Sequence, residues 1–179
     1  VIDDQSLFSQ TDFLTTDASF FSELEANVTM FGVKGVTFRS SLFEDLRVDM
    51  PEHEKRTGLF TIKSGYRIKK NCPANDPDCN VQPTVFKNLA MEIESYGKGL
   101  IDISYTDFDC LRGVYMNGIS NQNIFLNNFN VDYIDEQEPN VTDPDRVPFG
   151  LYLENCRGYS VEGNEFVSDA VNLGGSIGS

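Results

Sequence analysis

Residues able to do acid–base, nucleophilic or metal chemistry are few in this chain. His53 is the one imidazole among 179 residues, and it sits in the charged stretch Met50-Pro-Glu-His-Glu-Lys-Arg56. A histidine in such surroundings reads as a surface titrating group. One His and four Cys leave little material for a His-rich metal centre or a Ser–His–Asp triad. Cys72 and Cys79 bracket Pro-Ala-Asn-Asp-Pro-Asp in a polar stretch. Their spacing has no zinc partners nearby and is not a thioredoxin motif, so the expectation is a disulfide that pins a loop. Cys110 and Cys156 fall at different phases of the sequence pattern and are expected to stay apart, as buried thiols acting as small hydrophobes.

Carboxylates are plentiful, and their grouping is the next question. The segment 132–145 packs six of them into fourteen residues. That oxygen density suits Ca²⁺, with Asp143 and Asp145 as candidate ligands, and calcium is the one cofactor the sequence brings up. No Asp-x-Asp-x-Asp-Gly loop is present, and a charge run is equally a solvated face. Asp107 and Asp109 flank Phe108 and are expected to point outward near a corner. Neither has a visible partner of the kind a paired-carboxylate glycosidase holds across its cleft. Asn27-Val-Thr29 and Asn140-Val-Thr142 fit the N-glycosylation pattern.

Something must position these groups, and composition narrows what it is. Lys plus Arg is 14 against 28 for Asp plus Glu, a net charge of −14. Such a surface repels phosphate backbones and anionic membranes, so a nucleic-acid partner is not expected. No run of about 18 apolar residues exists, so no transmembrane segment is expected either. Fourteen Phe and seven Tyr argue against disorder.

The chain repeats itself. Gly113-Val-Tyr-Met-Asn-Gly-Ile-Ser-Asn-Gln-Asn-Ile-Phe-Leu-Asn-Asn-Phe129 lies over Gly150-Leu-Tyr-Leu-Glu-Asn-Cys-Arg-Gly-Tyr-Ser-Val-Glu-Gly-Asn-Glu-Phe166 without a gap. Gly113 meets Gly150, Tyr115 meets Tyr152, Ile124 meets Val161, Asn127 meets Asn164 and Phe129 meets Phe166. Ile103-x-x-Thr106-x-Phe108 and Phe38-x-x-Ser41-x-Phe43 repeat the second half, and Gly58-Leu59-Phe60 the first. Phe86, Phe108 and Phe129 advance by 22 and then 21 residues.

A period of 21–22 built from short alternating strands predicts an all-β solenoid: a parallel β-helix of about five to six coils with loop insertions. One coil cannot bury its apolar face, so only the stack is stable. Phe43, Phe86, Phe108, Phe129 and Phe166 are expected to form one buried column. Ser41, Thr106, Asn127 and Asn164 are expected to form a ladder at a tight bend, where short polar side chains bond the backbone. Insertions at 48–57 and roughly 131–148 should leave the same corner, and a third, about 69–83, interrupts a coil after Ile68. The interval from Phe43 to Phe86 reads as one coil carrying two of these insertions. At the N-terminus, Phe20 reads as the first rung of the Phe column, with a short helix capped by Asp17 as the alternative. Residues 1–179 read as a single β-helix segment excised from a longer protein, with the solenoid continuing past Ser179.

The frame resembles right-handed parallel β-helix repeat proteins of the pectate-lyase-like superfamily, over roughly residues 27–166. Arg112-Gly-Val-Tyr-Met-Asn-Gly, followed by Gly150 through Phe166, is most similar to the large secreted β-helix proteins of Bacteroidetes-type bacteria. Those commonly end in a type 9 secretion sorting domain. Arg56-Thr-Gly58, Cys72–Cys79 and Thr84-Val-Phe86 also match that group. The resemblance implies a secreted or outer-surface product that meets the secretion machinery during export. Fragments similar to a polygalacturonase signature, Arg67-Ile68-Lys69 and Gly175-Ser176-Ile177-Gly178, are in the wrong order and read as chance. Arg67 and Lys69 alternate with Tyr66 and Ile68 and are better taken as outward strand positions.

Two functions fit. One is a non-catalytic module, a stalk, adhesin or recognition surface whose partner is a protein or a cell-surface glycan. The other is part of a carbohydrate-active β-helix enzyme, a polysaccharide lyase or glycoside hydrolase. A sugar binder or an enzyme should line one face with exposed aromatics and carboxylates, whereas a stalk should show uncorrelated polar residues.

Overall fold

The computed structural model describes residues 6–9, 14–17, 20–21, 26–47, 49–50, 55–70, 72, 79–131 and 147–168, the first three stretches as backbone. Eighteen short strands follow one another, three to a coil. The first coil is β1 (Ser6–Ser9), β2 (Leu14–Asp17) and β3 (Phe20–Phe21); the second is β4 (Ala26–Phe31), β5 (Val36–Arg39) and β6 (Leu42–Glu44). The third is β7 (Thr57–Ile62), β8 (Tyr66–Lys69) and β9 (Thr84–Lys87); the fourth is β10 (Met91–Tyr96), β11 (Ile101–Ser104) and β12 (Thr106–Cys110). The fifth is β13 (Arg112–Asn117), β14 (Gln122–Phe125) and β15 (Asn128–Val131); the sixth is β16 (Phe149–Glu154), β17 (Ser160–Glu162) and β18 (Glu165–Ser168). Every third strand pairs in parallel with the one three before it. The result is three six-stranded walls, a parallel β-helix of six coils, five of them described with side chains.

Register follows the sequence frame. Tyr115 faces Tyr152, Ile124 faces Val161 and Phe129 faces Phe166. Phe43 faces Phe86 directly, so residues 44–85 are one coil with two insertions. The insertions at 48–57 and 131–148 both join the third wall to the first, and the one at 69–83 joins the second to the third. At the N-terminus the register corrects the expectation by one residue. Phe21, not Phe20, pairs with Phe43, while Phe20 pairs with Leu42. Two adjacent Phe leave the phase of a two-residue strand open in sequence, and side chains alternate faces along a strand.

The core fills the lumen. Val28, Leu59, Ile93 and Val114 stack along the first wall, and Phe38, Ile68, Ile103 and Ile124 along the second, all fully buried. The third wall contributes the Phe column. Successive rings from Phe43 to Phe129 stack with centroids 4.2, 5.3 and 4.6 Å apart, close to the spacing of neighbouring strands. Phe166 stacks on Phe129 at 4.7 Å but is 52% exposed. That exposure is contrary to the buried position expected of it. Glycine makes room for the column: a Cβ on Gly150 would stand 2.8 Å from the Phe166 ring, and one on Gly58 2.9 Å from the Phe86 ring.

Corners repeat as faithfully as strands. Gly32, Lys63, Gly97, Gly118 and Asn155 take left-handed backbone where the first wall turns into the second. The amides of the first four each donate to the next coil, at 2.9, 2.8, 2.9 and 2.9 Å, so the hydrogen-bond ladder continues around the bend. Ser40, Tyr105, Leu126 and Gly163 take left-handed backbone between the second and third walls, and the Ser40 and Leu126 amides donate to the next coil at 3.3 and 3.1 Å.

Candidate functional site

Of the residues singled out from sequence, those at the bend are tied coil to coil from Thr106 to Asn164. Asn127 Oδ1 accepts from the Thr106 amide at 3.1 Å, and Asn127 Nδ2 donates to the Ile103 carbonyl at 3.1 Å and to Asn164 Oδ1 at 2.9 Å. Asn164 Oδ1 also accepts from the Asn127 amide at 3.0 Å. The Ser41 amide donates to Thr84 Oγ1 at 3.4 Å, so Thr84 is a further rung. Sequence carried that signal in Thr84-x-Phe86, which has the same form as Thr106-x-Phe108.

The cysteines divide as expected. Cys72 and Cys79 form a disulfide, with Cα atoms 5.7 Å apart, and Cys110 and Cys156 are not disulfide-bonded. Cys110 is buried; Cys156 is only half-buried, near the Met116 and Glu154 carbonyls. The calcium candidates Asp143 and Asp145 lie outside the described residues, as do His53 and Asn140. Asp107 and Asp109 stand on the outer face of the third wall and accept hydrogen bonds from Asn128 at 2.8 Å and Asn130 at 3.0 Å. Asn27 is buried with its amide nitrogen on the Glu44 carbonyl, so folded protein offers no glycan attachment there.

A group that sequence reasoning missed lies on the outside of the first wall. Alternation sends Phe60, Glu94, Tyr115 and Tyr152 outward in one row, and Phe31, Tyr96, Asn117 and Glu154 in the next. Their rings form an unbroken zigzag. Phe31, Phe60, Tyr96, Tyr115 and Tyr152 follow one another with centroids 6.3, 5.9, 5.7 and 5.7 Å apart, and Phe149 adds a ring 5.8 Å from Tyr152. Between the rings sit two carboxylates. Tyr96 donates to Glu94, Tyr115 donates to Glu154 at 2.6 Å, and Asn117 Nδ2 bridges the Tyr115 hydroxyl and Glu154, each at 3.0 Å. Partial burial and then Glu94 push the Tyr96 phenol up; the bond to Glu154 and then partial burial do the same to Tyr115. Both phenols therefore stay protonated and hold their rings in place. Over Tyr96, Tyr115, Phe149, Tyr152 and Arg112 runs an open groove of about 530 Å³.

The insertion at 48–57 springs from a second polar knot. Asp45 is fully buried at its root and accepts from Arg47 Nε at 2.9 Å and from the Arg47 and Arg56 amides at 3.0 and 3.1 Å. Burial pushes the Asp45 carboxyl up, but the hydrogen bonds and charge of Arg47 more than offset this and hold it below the usual range. Asn88, one coil on, donates to the Asp45 carbonyl and accepts from Lys55. Among the described residues no three or more His, Cys, Asp or Glu side chains gather as a metal centre.

No family model matches the chain, and it matches no curated protein and no solved structure. No helix among the described residues is long and apolar enough to cross a membrane.

Proposed function

We propose that this chain is a non-catalytic recognition module of a secreted or outer-surface bacterial protein, and that its first wall binds a glycan. The observation that carries this reading is the outward zigzag of six aromatic rings with carboxylates set between them. Sugar rings stack their C–H faces on aromatic faces and hydrogen-bond their hydroxyls to carboxylates and amides beside them. A stalk has no use for a continuous outward aromatic row, half-buried at Phe60, Tyr96, Tyr115 and Phe149 and exposed at Phe31 and Tyr152, which adds nothing to the core. Binding is favoured over turnover because Glu94 and Glu154 each accept a neighbouring phenol proton, an arrangement that fixes rings rather than presenting a free acid. The resemblance of the repeat frame to pectate-lyase-like β-helix proteins exported by type 9 secretion supports the surface location.

The test is affinity electrophoresis and calorimetry against uncharged soluble polysaccharides, with Phe60→Ala, Tyr115→Ala and Tyr152→Ala variants. Binding without release of reducing ends is expected, weakened about tenfold by each loss of a stacking ring. Binding untouched by all three variants sinks the reading. Polysaccharide cleavage abolished by Glu94→Gln or Glu154→Gln makes the chain part of an enzyme instead.

A further inference from the structure

The chain's positive charge is not scattered. Of its 14 Lys and Arg, four (Lys34, Lys63, Lys98 and Arg67) border one groove of about 500 Å³ where the first wall turns into the second. Arg39, Lys69 and Lys70 continue the patch along the second wall, bringing half of all the cations onto one side of a molecule whose net charge is −14. The three lysines stand at this corner on the second, third and fourth coils, one per coil, though not in one register: Lys63 is level with Gly32 and Gly97, Lys34 lies two residues past Gly32 and Lys98 one past Gly97. Gly35, Gly65 and Gly99 line the groove and contribute no side chain to fill it.

Lys34, Lys63 and Lys98 are exposed, and among the described residues none meets a carboxylate within ion-pair distance. Arg67 is partly committed, with its Nε 4.0 Å from Asp102. Like charges held in a row repel one another and weaken the fold slightly unless a counter-charge arrives. The type of cation also matters. Arginine forks suit planar carboxylates bidentately, whereas lysine is a compact point charge with three rotatable donors, suited to tetrahedral oxyanions that present oxygens in every direction.

We propose that this corner binds a linear sulfated polysaccharide lying along the helix axis, its sulfate esters meeting Lys34, Lys63 and Lys98 in turn. Tetrahedral charge repeated along a linear chain matches flexible lysines carried one per coil on three successive coils of a solenoid. The sulfated chain is admitted although the protein is acidic, because screening over about 8 Å at physiological salt lets the local patch dominate at contact. The site is separate from the aromatic groove of the first wall, with which it shares no lining residue.

Dextran sulfate is the probe, measured by calorimetry on the whole chain, with unsulfated dextran, polygalacturonate and inorganic polyphosphate beside it. Dextran sulfate is expected to bind, to weaken as salt is raised, and to lose about tenfold in affinity when Lys34, Lys63 and Lys98 are together replaced by Ala. These side chains are exposed, so the variant should keep the circular-dichroism spectrum and unfolding midpoint of the parent. Lys87→Ala on the third wall removes a charge elsewhere and should leave the affinity unchanged. No binding of dextran sulfate at low salt, or binding that the triple replacement does not change, overturns the proposal. Equal or tighter binding of polygalacturonate shows that carboxylates serve as well and overturns the sulfate assignment, as does equal or tighter binding of polyphosphate.

Discussion

Replacing Phe108 by Ala and Phe166 by Ala removes the same atoms from the same column, yet the two changes should differ several-fold in cost. Phe108 is 1% exposed and lies between Phe86 at 5.3 Å and Phe129 at 4.6 Å. Its ring cannot be replaced by water, and the rungs above and below are tied by strand pairing, so they cannot close the gap. Transfer and cavity terms for a buried Phe come to about 3–5 kcal/mol, the two ring contacts included. Phe166 is 52% exposed and has one stacking partner at 4.7 Å. Half the burial and half the stacking give about 1–2 kcal/mol. Urea unfolding followed by far-UV circular dichroism, at equal slope, reads both values from the shift in midpoint. Phe108→Leu refills most of the gap and should recover more than half of the loss. Equal costs for the two alanine variants, or a Phe108→Ala cost under about 1 kcal/mol, would show that the column is not what holds the coils together.

Asn127→Ala should cost about 2–4 kcal/mol, because the Thr106 amide and the Ile103 carbonyl lose their partner inside the bend; Asn127→Thr, the residue type used one coil earlier, should recover part of it in the same denaturation assay. Asp45 has a depressed pKa in the folded chain, so its contribution is complete above the ordinary 3.8 and is lost as pH falls through the folded value; Asp45→Asn should destabilise by about 2–4 kcal/mol at neutral pH and flatten the acid limb of the midpoint-against-pH curve. Tyr66, raised by burial, and Tyr96 and Tyr115 keep their protons above the ordinary 10.0, whereas the unfolded chain releases them there. Stability should therefore fall as pH rises beyond about 10, and Tyr66→Phe should make that fall shallower. Alkylation of denatured, unreduced protein should count two free thiols, with none or four contradicting the pairing of Cys72 with Cys79.

The coil frame was legible because the features that set it fall at one place in each period. Glycine stands where the Phe ring needs space, Phe fills the column, and Asn, Thr or Ser bonds the bend amides. Each lies on the inward side, where stacking forces like onto like. The outer face obeys no such constraint. Tyr115 and Tyr152 aligned in sequence, but Phe31 and Tyr96 lie in the neighbouring row, so the aromatic zigzag matches no single period. Lys34, Lys63 and Lys98 were hidden for another reason: they are 29 and 35 residues apart, since insertions of unequal length separate coils that touch. Asn27 fits the N-glycosylation pattern yet is buried, because the three-residue pattern carries no information on burial. Phe20 was off by one because a strand of two aromatic residues has no alternation to set its phase.

The amides that turn each corner also settle how the solenoid carries force. Bonds from Gly32, Lys63, Gly97 and Gly118 run between coils, in the same direction as those of the three walls. A pull along the axis therefore loads a whole ring of hydrogen bonds at once, and no single one fails first. A pull delivered through one chain end meets them singly and strips a strand at a time. Held by its faces, the stack should be stiff; held by its ends, it should unwind coil by coil at a force that barely depends on how many coils remain.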